Sequence, residues 1–343
     1  MEVVGTAEEA LGGLSARRVD VLVVSDELGE EASTGLLTHS REHHPETMRL
    51  LLTSSGSDLG AGAVIAQRVL RRPFQTEQFE RELRALQEAG ALVRRAIRRT
   101  HDVEFHSSMF QQCVDGGMFS LAIQPMFTAR TRGLAAVELL LRSTHPTLSD
   151  PLRVLDSVER SGREADLGRV VNQLAAGWMQ RVPASVDVFV NTHPAQFAGP
   201  RALEAFACLE PFAARTVLEI TERAPLSDYH GAEEALGELG RRGFRIAVDD
   251  IGSGYNSLSV LAELSPAFIK ADMSIVRNAH REPRKQRLLQ LLANFASATG
   301  SELVAEGVES EEEASTAVRC GANLLQGFHL ARPGAAWPPV YPS

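Results

Sequence analysis

The chain has 343 residues, of which 44% are apolar and 23% are charged, and its formal net charge is −9. This composition is typical of a globular protein long enough for two domains, and it excludes a disordered chain, a collagen-like chain and a small disulfide scaffold. No apolar run approaches the roughly 18 residues of a membrane helix, and the acidic balance argues against a nucleic-acid-binding protein.

The three cysteines, Cys113, Cys208 and Cys320, lie far apart in the sequence. Their odd number and wide spacing fit neither a disulfide framework nor a zinc site. The first residues show no basic segment followed by an apolar one, so we expect no secretory signal. These features predict a cytoplasmic protein with reduced thiols that binds neither DNA nor a membrane.

The first 80 residues alternate short apolar runs with amphipathic stretches, which predicts strands of a parallel sheet separated by helices. The runs Val21–Val24 and Met48–Leu52 lead to the polar residues Asp26 and Thr53. The pattern resembles a response-regulator receiver domain, a family in which Asp26 would stand at the position of the phosphorylated aspartate. Arg72, before a proline, stands at the position of the family's lysine.

The resemblance to a receiver domain is incomplete, because the family's acidic pair that holds Mg²⁺ is missing. We expect the chain to begin at the second strand of that fold, around residues 2–6, unless a start further upstream restores the first. Without the ion, the charge of a phosphoryl group at Asp26 is poorly neutralised. Residues 1–80 are therefore interpreted as a degenerate or truncated receiver-like domain, and a simple turn after a strand explains Asp26 equally well.

Residues 81–105 show apolar side chains at helical spacing, with arginine and glutamate on the other faces. This spacing predicts one helix that links the N-terminal domain to the rest of the chain. The N-terminal domain would offer a surface for a signalling protein partner.

Residues 106–335 contain eight strand-like apolar runs with helix-like stretches between them, and residues 336–343 form a tail. The runs are 121–123, 136–141, 186–190, 217–220, 246–248, 267–269, 303–305 and 324–325. This arrangement predicts a (β/α)₈ TIM-like barrel, the second domain of an α/β protein. In such barrels the functional residues lie at the C-terminal ends of the strands.

Polar side chains stand at or next to nearly every one of these predicted strand ends. They are Gln124, Glu138, Arg142, Asn191, Glu219, Glu222, Asp249, Asp250, Lys270, Asp272, Glu306, Glu309 and Gln326. Each alone has an ordinary explanation, such as a helix cap, a turn or a surface ion pair of Glu138 with Arg142. Together they are costly to bury without a compensating cation.

The carboxylates and the asparagine of this set offer only oxygen ligands, which favours Mg²⁺ or Mn²⁺ over zinc. Five or six carboxylates exceed the needs of one ion, so we expect two metal ions and phosphoryl chemistry. Lys270 is one of only two lysines among 35 basic residues. A lysine here could orient a water molecule or offset charge on phosphate oxygens.

At these positions the sequence resembles the EAL-domain family of cyclic di-GMP phosphodiesterases, over about residues 106–333. The segments that carry the resemblance are Gln124-Pro125, Glu138-Leu139-Leu140-Leu141-Arg142, Val190-Asn191, Glu219-Ile220-Thr221-Glu222, Asp249-Asp250-Ile251-Gly252-Ser253-Gly254-Tyr255, Lys270-Ala271-Asp272, Ala305-Glu306-Gly307-Val308-Glu309 and Gln326-Gly327-Phe328. Eight short motifs in order are far more specific than any one of them. The resemblance implies hydrolysis of cyclic di-GMP to linear 5′-pGpG in bacterial signalling.

The resemblance also implies a role for each residue. The implied metal ligands are Glu138, Asn191, Glu219 and Asp249 for the first ion, with Asp249 bridging to the second, and Asp250 and Glu306 for the second ion. The implied remaining roles are Lys270 for positioning the water, Glu306 as general base, Gln124, Arg142 and Gln326 for substrate binding, and Glu222 and Glu309 for loop support. The loop that follows Asp249 links the site to a dimer interface in this family, so we expect a homodimer.

Two departures from the family pattern lie close to these residues. Leu139 replaces an alanine and is expected to add bulk beside Glu138, and Ile251 replaces a phenylalanine in the loop that aligns the metals. Neither removes a ligand. Two alternatives stay open: a catalytically silent EAL module that acts as a cyclic di-GMP receptor or protein-interaction regulator, and an unrelated barrel enzyme acting on another phosphodiester.

Overall fold

The computed structural model describes residues 2–54, 61–221, 228–252, 261 and 264–336. The chain divides into two compact units, Met1–Glu104 and Phe105–Ser343. Within the described ranges, no helix is both long enough and apolar enough to cross a membrane.

The N-terminal unit is built on a three-stranded parallel sheet in the order β1-β2-β3. Its elements are α1 (Ala7–Ala16), β1 (Val21–Ser25), α2 (Glu30–His43), β2 (Met48–Thr53), α3 (Ala61–Ile65) and β3 (Arg68–Arg71). Leu22 and Val24 of β1 belong to one buried cluster, whereas Met48 and Leu50 of β2 belong to another. The sheet is therefore covered on both faces, as parallel sheets require.

The expected strand around residues 2–6 is wrong. Residues 2–6 are not in a strand, and Thr6 instead begins helix α1. Its hydroxyl accepts a hydrogen bond from the Glu9 backbone, and the Glu9 carboxylate accepts one from the Thr6 backbone. This reciprocal pairing is the capping box, which satisfies N–H groups that a helix start leaves unpaired. The receiver-like interpretation of residues 1–80 stays a prediction.

A single long helix, α4 (Thr76–Asp115), contains the predicted linker helix over 81–105 and extends beyond it at both ends. The boundary between the two compact units falls inside this helix, after Glu104. The limits predicted from the sequence, after residues 80 and 105, both fall inside α4. They stay predictions.

The C-terminal unit is a closed barrel of eight strands, which confirms the predicted barrel architecture. Its strands are β4 (Phe119–Thr128), β5 (Leu134–Ser143), β6 (Asp187–Thr192), β7 (Thr216–Thr221), β8 (Arg245–Ile251), β9 (Phe268–Ala271), β10 (Glu302–Ala305) and β11 (Leu324–Leu325). Its helices are α5 (Pro151–Ser161), α6 (Glu164–Met179), α7 (Ala232–Arg241), Met273–Val276, Pro283–Thr299 and Glu311–Arg319.

The first strand of the barrel, β4, does not follow the expected pattern of a parallel strand followed by a helix. β4 runs antiparallel to both of its neighbours, β5 and β11, whereas the other neighbouring strands are parallel. Residues 129–133 join β4 to β5 without a helix, and Arg132 in this turn has a φ of 57°. An antiparallel pair needs only a short connection, so the expected helix-like stretch between these two strands is wrong.

Two glycines of α6 provide a test of how tightly the barrel's outer layer is packed. A Cβ atom on Gly168 would lie 2.0 Å from Cδ of the buried Gln196, whereas one on Gly177 would meet nothing within 4 Å. We expect Gly168→Ala to lower the free energy of unfolding by about 1–3 kcal/mol through overpacking. Gly177→Ala should raise it by up to about 1 kcal/mol, because alanine restricts the unfolded chain more.

Urea-induced unfolding of both variants would measure this difference. Both substitutions add the same helix-favouring methyl group to the same helix, so each serves as the control for the other. Equal effects of the two substitutions would show that Gly168 is not closely packed against Gln196.

Candidate functional site

The inside of the barrel carries one apolar layer with one residue from each strand. This buried cluster consists of Met126, Ala136, Phe189, Val217, Ala247, Phe268, Val304 and Leu324. Successive side chains of a strand point to opposite faces, so the residue two positions further along faces the same side. The next inward-facing layer is therefore fixed by the sequence of each strand.

Every position in that next layer is polar. Going two residues toward the C-terminal end of each parallel strand, or two residues back along the antiparallel β4, gives Gln124, Glu138, Asn191, Glu219, Asp249, Lys270, Glu306 and Gln326. These eight side chains stand on eight different strands or directly after them. Barrel closure thus brings together residues that are up to 202 positions apart, from 124 to 326.

The Lys270 ammonium lies at the centre of this polar layer. Its Nζ is 2.7 Å from Glu306 Oε1, 3.1 Å from Asp249 Oδ1 and 3.6 Å from Glu138 Oε2. It also forms an ion pair with Glu219. The lysine side chain is 1% exposed, so nearly all of its charge balance comes from these four carboxylates.

Glu138 accepts a side-chain amide hydrogen bond on each of its two carboxylate oxygens. The Asn191 amide donates to Oε1 at 2.9 Å, and the Gln326 amide donates to Oε2 at 2.8 Å. Burial raises the pKa of Glu138, but attraction to Lys270 and these two hydrogen bonds bring the pKa below its usual value. Glu138 is held by these partners rather than by an ion pair with Arg142.

For two other carboxylates the net pKa shift is in the opposite direction, because their partners do not outweigh the effect of burial. The pKa values of Glu219 and Glu306 are raised well above 4.5, first because burial disfavours the charged form and then because neighbouring carboxylates repel it. Burial lowers the pKa of Lys270, but its four carboxylate neighbours raise it overall. The site thus carries more negative charge than one lysine can offset.

A metal ion fits the acidic part of this site. Asp249, Asp250 and Glu306 each offer a carboxylate oxygen, and these atoms lie within 4.8 Å of one another. All of these donors are oxygens, the ligands of hard divalent cations such as Mg²⁺ and Mn²⁺. Asp250 has a φ of 60°, and its backbone N–H donates to Asp249 Oδ1 at 2.9 Å. This turn directs two consecutive carboxylates to the same site.

The other residues expected to serve the site are not members of the eight-residue polar layer. Arg142 is partly buried at the end of β5, and its guanidinium donates to the Leu141 carbonyl at 2.7 Å. Glu309 lies outside the polar layer, and its exposed side chain pairs with Arg277. Glu222 and the residues of the Asp249–Tyr255 loop after Gly252 lie outside the described residues.

The two departures from the family pattern lie in the packing around the barrel. Leu139 is 1% exposed and belongs to the apolar cluster outside the strands, on the opposite side of β5 from Glu138. Its expected bulk beside the Glu138 carboxylate is therefore wrong, because neighbouring strand residues point to opposite faces. Ile251 is likewise buried in an apolar cluster.

The N-terminal unit carries a second polar cluster at the carboxyl ends of its strands. The Thr53 hydroxyl and the Ser54 N–H donate to Asp26 Oδ2 at 3.0 and 2.8 Å. Arg72 lies 3.6 Å from Asp26 Oδ1 and 2.9 Å from the Glu27 carboxylate. The Ser54 N–H, then the Thr53 hydroxyl and the Arg72 charge, lower the pKa of Asp26 despite its partial burial. An arginine thus partly neutralises this aspartate.

Comparison with known proteins assigns the C-terminal unit. The EAL domain family matches residues 107–333, and the chain therefore belongs to that family. The chain is 31% identical over 230 residues to the cyclic di-GMP phosphodiesterase RocR of Pseudomonas aeruginosa, which covers 64% of this chain and 58% of RocR. It is 28% identical over 237 residues to the probable cyclic di-GMP phosphodiesterase PdeG of Escherichia coli, covering 66% and 46%.

Solved structures show the same fold. A structure of PaMucR phosphodiesterase in complex with c-di-GMP has a TM-score of 0.59 at 26% identity and covers 67% of this chain and 98% of that chain. The EAL domain of Xanthomonas citri FimX, solved with c-di-GMP, has a TM-score of 0.61 at 21% identity, covering 68% and 95%. This chain spans less than two thirds of the length of RocR and of PdeG.

The raised pKa of Glu219 predicts a pH-dependent effect of its removal. A group whose pKa is raised by folding destabilises the folded state as the pH rises from the unfolded value, here about 4.5, through the folded one. Glu219→Gln removes that cost, so without metal the variant should be more stable than the wild type at pH 8. Between the two pKa values the gain grows by about 1.4 kcal/mol per pH unit, so at pH 5 it should be below about 1 kcal/mol.

Urea unfolding in EDTA at the two pH values would measure this gain. Glu302→Gln, at the exposed first position of β10, is a matched control for the loss of one carboxylate. A stability difference of the same size at pH 5 and pH 8 would contradict the account of Glu219.

Proposed function

We propose that this chain hydrolyses cyclic di-GMP to linear 5′-pGpG with the help of two divalent metal ions, Mg²⁺ or Mn²⁺. The observation that carries the proposal is the polar layer inside the barrel, which holds carboxylates, amides and one lysine at all eight positions. Membership of the EAL domain family and the similarity to the cyclic di-GMP phosphodiesterase RocR and the probable cyclic di-GMP phosphodiesterase PdeG support cyclic di-GMP as the substrate.

The proposed metal ligands follow from the donors that the layer offers. Glu138, Asn191, Glu219 and Asp249 would hold one ion, and Asp250 and Glu306, with Asp249 shared, would hold the other. When bound, such ions lower the pKa of water and offset charge on phosphate oxygens. Lys270 already compensates four of these carboxylates and would give up part of that role to the ions.

The protein's own groups would then bring a water molecule to the phosphorus. The Lys270 ammonium, 2.7 Å from Glu306, can donate a hydrogen bond that orients the water oxygen. The Glu306 carboxylate, which lies in contact with the same ammonium, would accept the proton of that water as general base. The water oxygen would bond to phosphorus as its proton passes to Glu306, and the bond from phosphorus to the ribose 3′ oxygen would break. That oxygen would take up a proton from Glu306 or from solvent water.

Three further side chains are proposed to bind the dinucleotide. Arg142 can grip a phosphate through paired hydrogen bonds once it leaves the Leu141 carbonyl. Gln326 keeps its buried Oε1 without a hydrogen-bond partner among the described residues, so this oxygen can accept from the ligand. Gln124 faces Glu138 across the β4–β5 pair, at the same level of the barrel.

Direct assay of the purified chain tests this proposal. The protein is incubated with cyclic di-GMP and Mg²⁺ or Mn²⁺ beside a Lys270→Ala variant, and the products are separated by chromatography. We expect pGpG from the wild type and a loss of at least about 100-fold in rate for the variant, since a misplaced water is costly.

Binding without turnover would overturn the enzymatic proposal and favour a cyclic di-GMP receptor. If the protein neither binds nor hydrolyses cyclic di-GMP, although its circular dichroism shows an intact fold, cyclic di-GMP is ruled out as its ligand.

The N-terminal cluster leads to a separate prediction about activity. Asp26 is bound by Thr53, Ser54 and Arg72, and we propose that it is not a phosphorylation switch. Asp26→Asn should therefore leave the turnover of cyclic di-GMP unchanged, within about two-fold, with or without a small-molecule phosphoryl donor. A clear loss of activity in a folded variant would show that Asp26 controls the barrel.

A further inference from the structure

One buried glutamate outside the polar layer has no role in the proposed reaction. Glu313, in the first turn of the helix Glu311–Arg319, is 4% exposed, whereas its neighbours Glu311 and Glu312 are exposed. Among the described residues it forms no ion pair. A carboxylate buried in this way needs strong hydrogen bonds to replace water.

Backbone N–H groups from two different segments supply those hydrogen bonds. The Asn278 N–H donates to Glu313 Oε1 at 2.7 Å, and the Glu309 N–H donates to Oε2 at 2.8 Å. Both oxygens of one carboxylate are therefore used, one for each segment. Hydrogen bonds to an ionised acceptor are about twice as strong as neutral ones.

The two segments are those that follow the strands of Lys270 and Glu306. Lys270 lies in β9, whose chain continues through the helix Met273–Val276 to Asn278. Glu306 directly follows β10, and Glu309 is three residues further on. β9 and β10 are parallel neighbours in the barrel. One side chain thus joins the two segments that leave the centre of the site.

Direct packing and a surface ion pair join the same two segments. Gly307 has a φ of 64°, and a Cβ atom there would lie 2.3 Å from Cβ of Met273, so the two backbones are in close contact. Arg277 and Glu309 form an ion pair at the surface. The surface pair is largely exposed and contributes little. The Glu306 N–H also donates to the Ala271 carbonyl at 3.1 Å where the two strands end, and Glu313 adds a charge-assisted link further along both segments.

The local sequence explains how a glutamate reaches this position. Ser310 is the N-cap of the helix, and its hydroxyl accepts the Glu313 N–H at 3.2 Å. In a standard capping box the glutamate would accept the N–H of the cap residue itself. Here its carboxylate accepts instead from the residue before the cap and from Asn278. The capping residue Glu313 therefore connects the start of its own helix to the segment that contains Asn278.

We propose that Glu313 is a positioning residue, which fixes the separation of Lys270 and Glu306 by holding together the segments that follow them. The proposal rests on the proposed function, in which the lysine orients the water and the glutamate binds metal and accepts a proton. Without the Glu313 carboxylate the two segments can move apart, and Glu306 loses its fixed position beside Asp249 and Asp250.

The test compares Glu313→Ala with Glu312→Ala, a matched loss of one carboxylate at an exposed position of the same helical turn. For Glu313→Ala we expect kcat on cyclic di-GMP to fall about 10- to 100-fold, with KM within about two-fold, because a displacement near 1 Å has this effect on rate. The Mn²⁺ concentration for half-maximal rate should rise, and calorimetric titration should show weaker Mn²⁺ binding. Glu312→Ala should match the wild type in all three measurements.

A second, milder variant tests the proposal even if Glu313→Ala does not fold. Glu313→Gln preserves the volume and one acceptor oxygen, so its kcat and Mn²⁺ dependence should lie between those of the wild type and Glu313→Ala. Wild-type kcat and Mn²⁺ dependence in a folded Glu313→Ala protein would overturn the proposal. A loss of activity in proportion to the unfolded fraction, at unchanged Mn²⁺ dependence, would assign Glu313 a purely structural role and overturn it as well.

Mn²⁺ binding separates this proposal from the proposed function. If the wild type does not hydrolyse cyclic di-GMP, calorimetry of the two variants still compares how well Glu306 is held for the ion. Equal Mn²⁺ affinity of Glu313→Ala and the wild type would then refute the positioning role alone.

Discussion

The ion pairs of the Lys270 ammonium with four carboxylates are the interaction on which the rest of the barrel's functional end depends. Four carboxylates converge on a lysine that is 1% exposed, at a place where water cannot screen their repulsion. One positive charge does not balance four negative ones. Burial first, and then repulsion from neighbouring carboxylates, raises the pKa values of Glu219 and Glu306. Such an excess of negative charge is what a site for divalent cations requires before the cation binds.

Strand alternation explains why the charged groups meet in one layer. Each strand places one apolar residue in the cluster that fills the barrel, and the inward position two residues away is polar on all eight strands. The apolar layer closes the barrel below the site and keeps water out from that side. A shift of one residue in the register of any strand would turn its polar side chain outward into the apolar layer beneath the helices.

The alternation of apolar runs and polar strand ends predicted the barrel and brought Lys270 together with Glu138, Glu219, Asp249 and Glu306, because both depend on short-range sequence patterns. The pattern could not show that β4 runs antiparallel, since the direction of a strand depends on its neighbours rather than on its own residues. Leu139 was expected beside the Glu138 carboxylate because the two residues are adjacent in the sequence, whereas neighbouring residues of a strand face opposite sides of the sheet. Glu313 was missed, although Ser310 three residues before it is a recognisable capping signal.

The barrel buries carboxylates in two physically different ways, and the difference suits the roles proposed for them. The carboxylates around Lys270 are neutralised by a point charge on a flexible side chain, which other cations can replace without breaking the backbone. Glu313 is satisfied by two backbone N–H groups whose positions are fixed by the fold, and no mobile cation can take their place. The arrangement around Lys270 allows a metal cation to take over part of the lysine's role. The hydrogen bonds of Glu313 keep the surrounding backbone in place when that happens. A binding site for divalent ions needs both, because its ligands must accept a change of charge without moving apart.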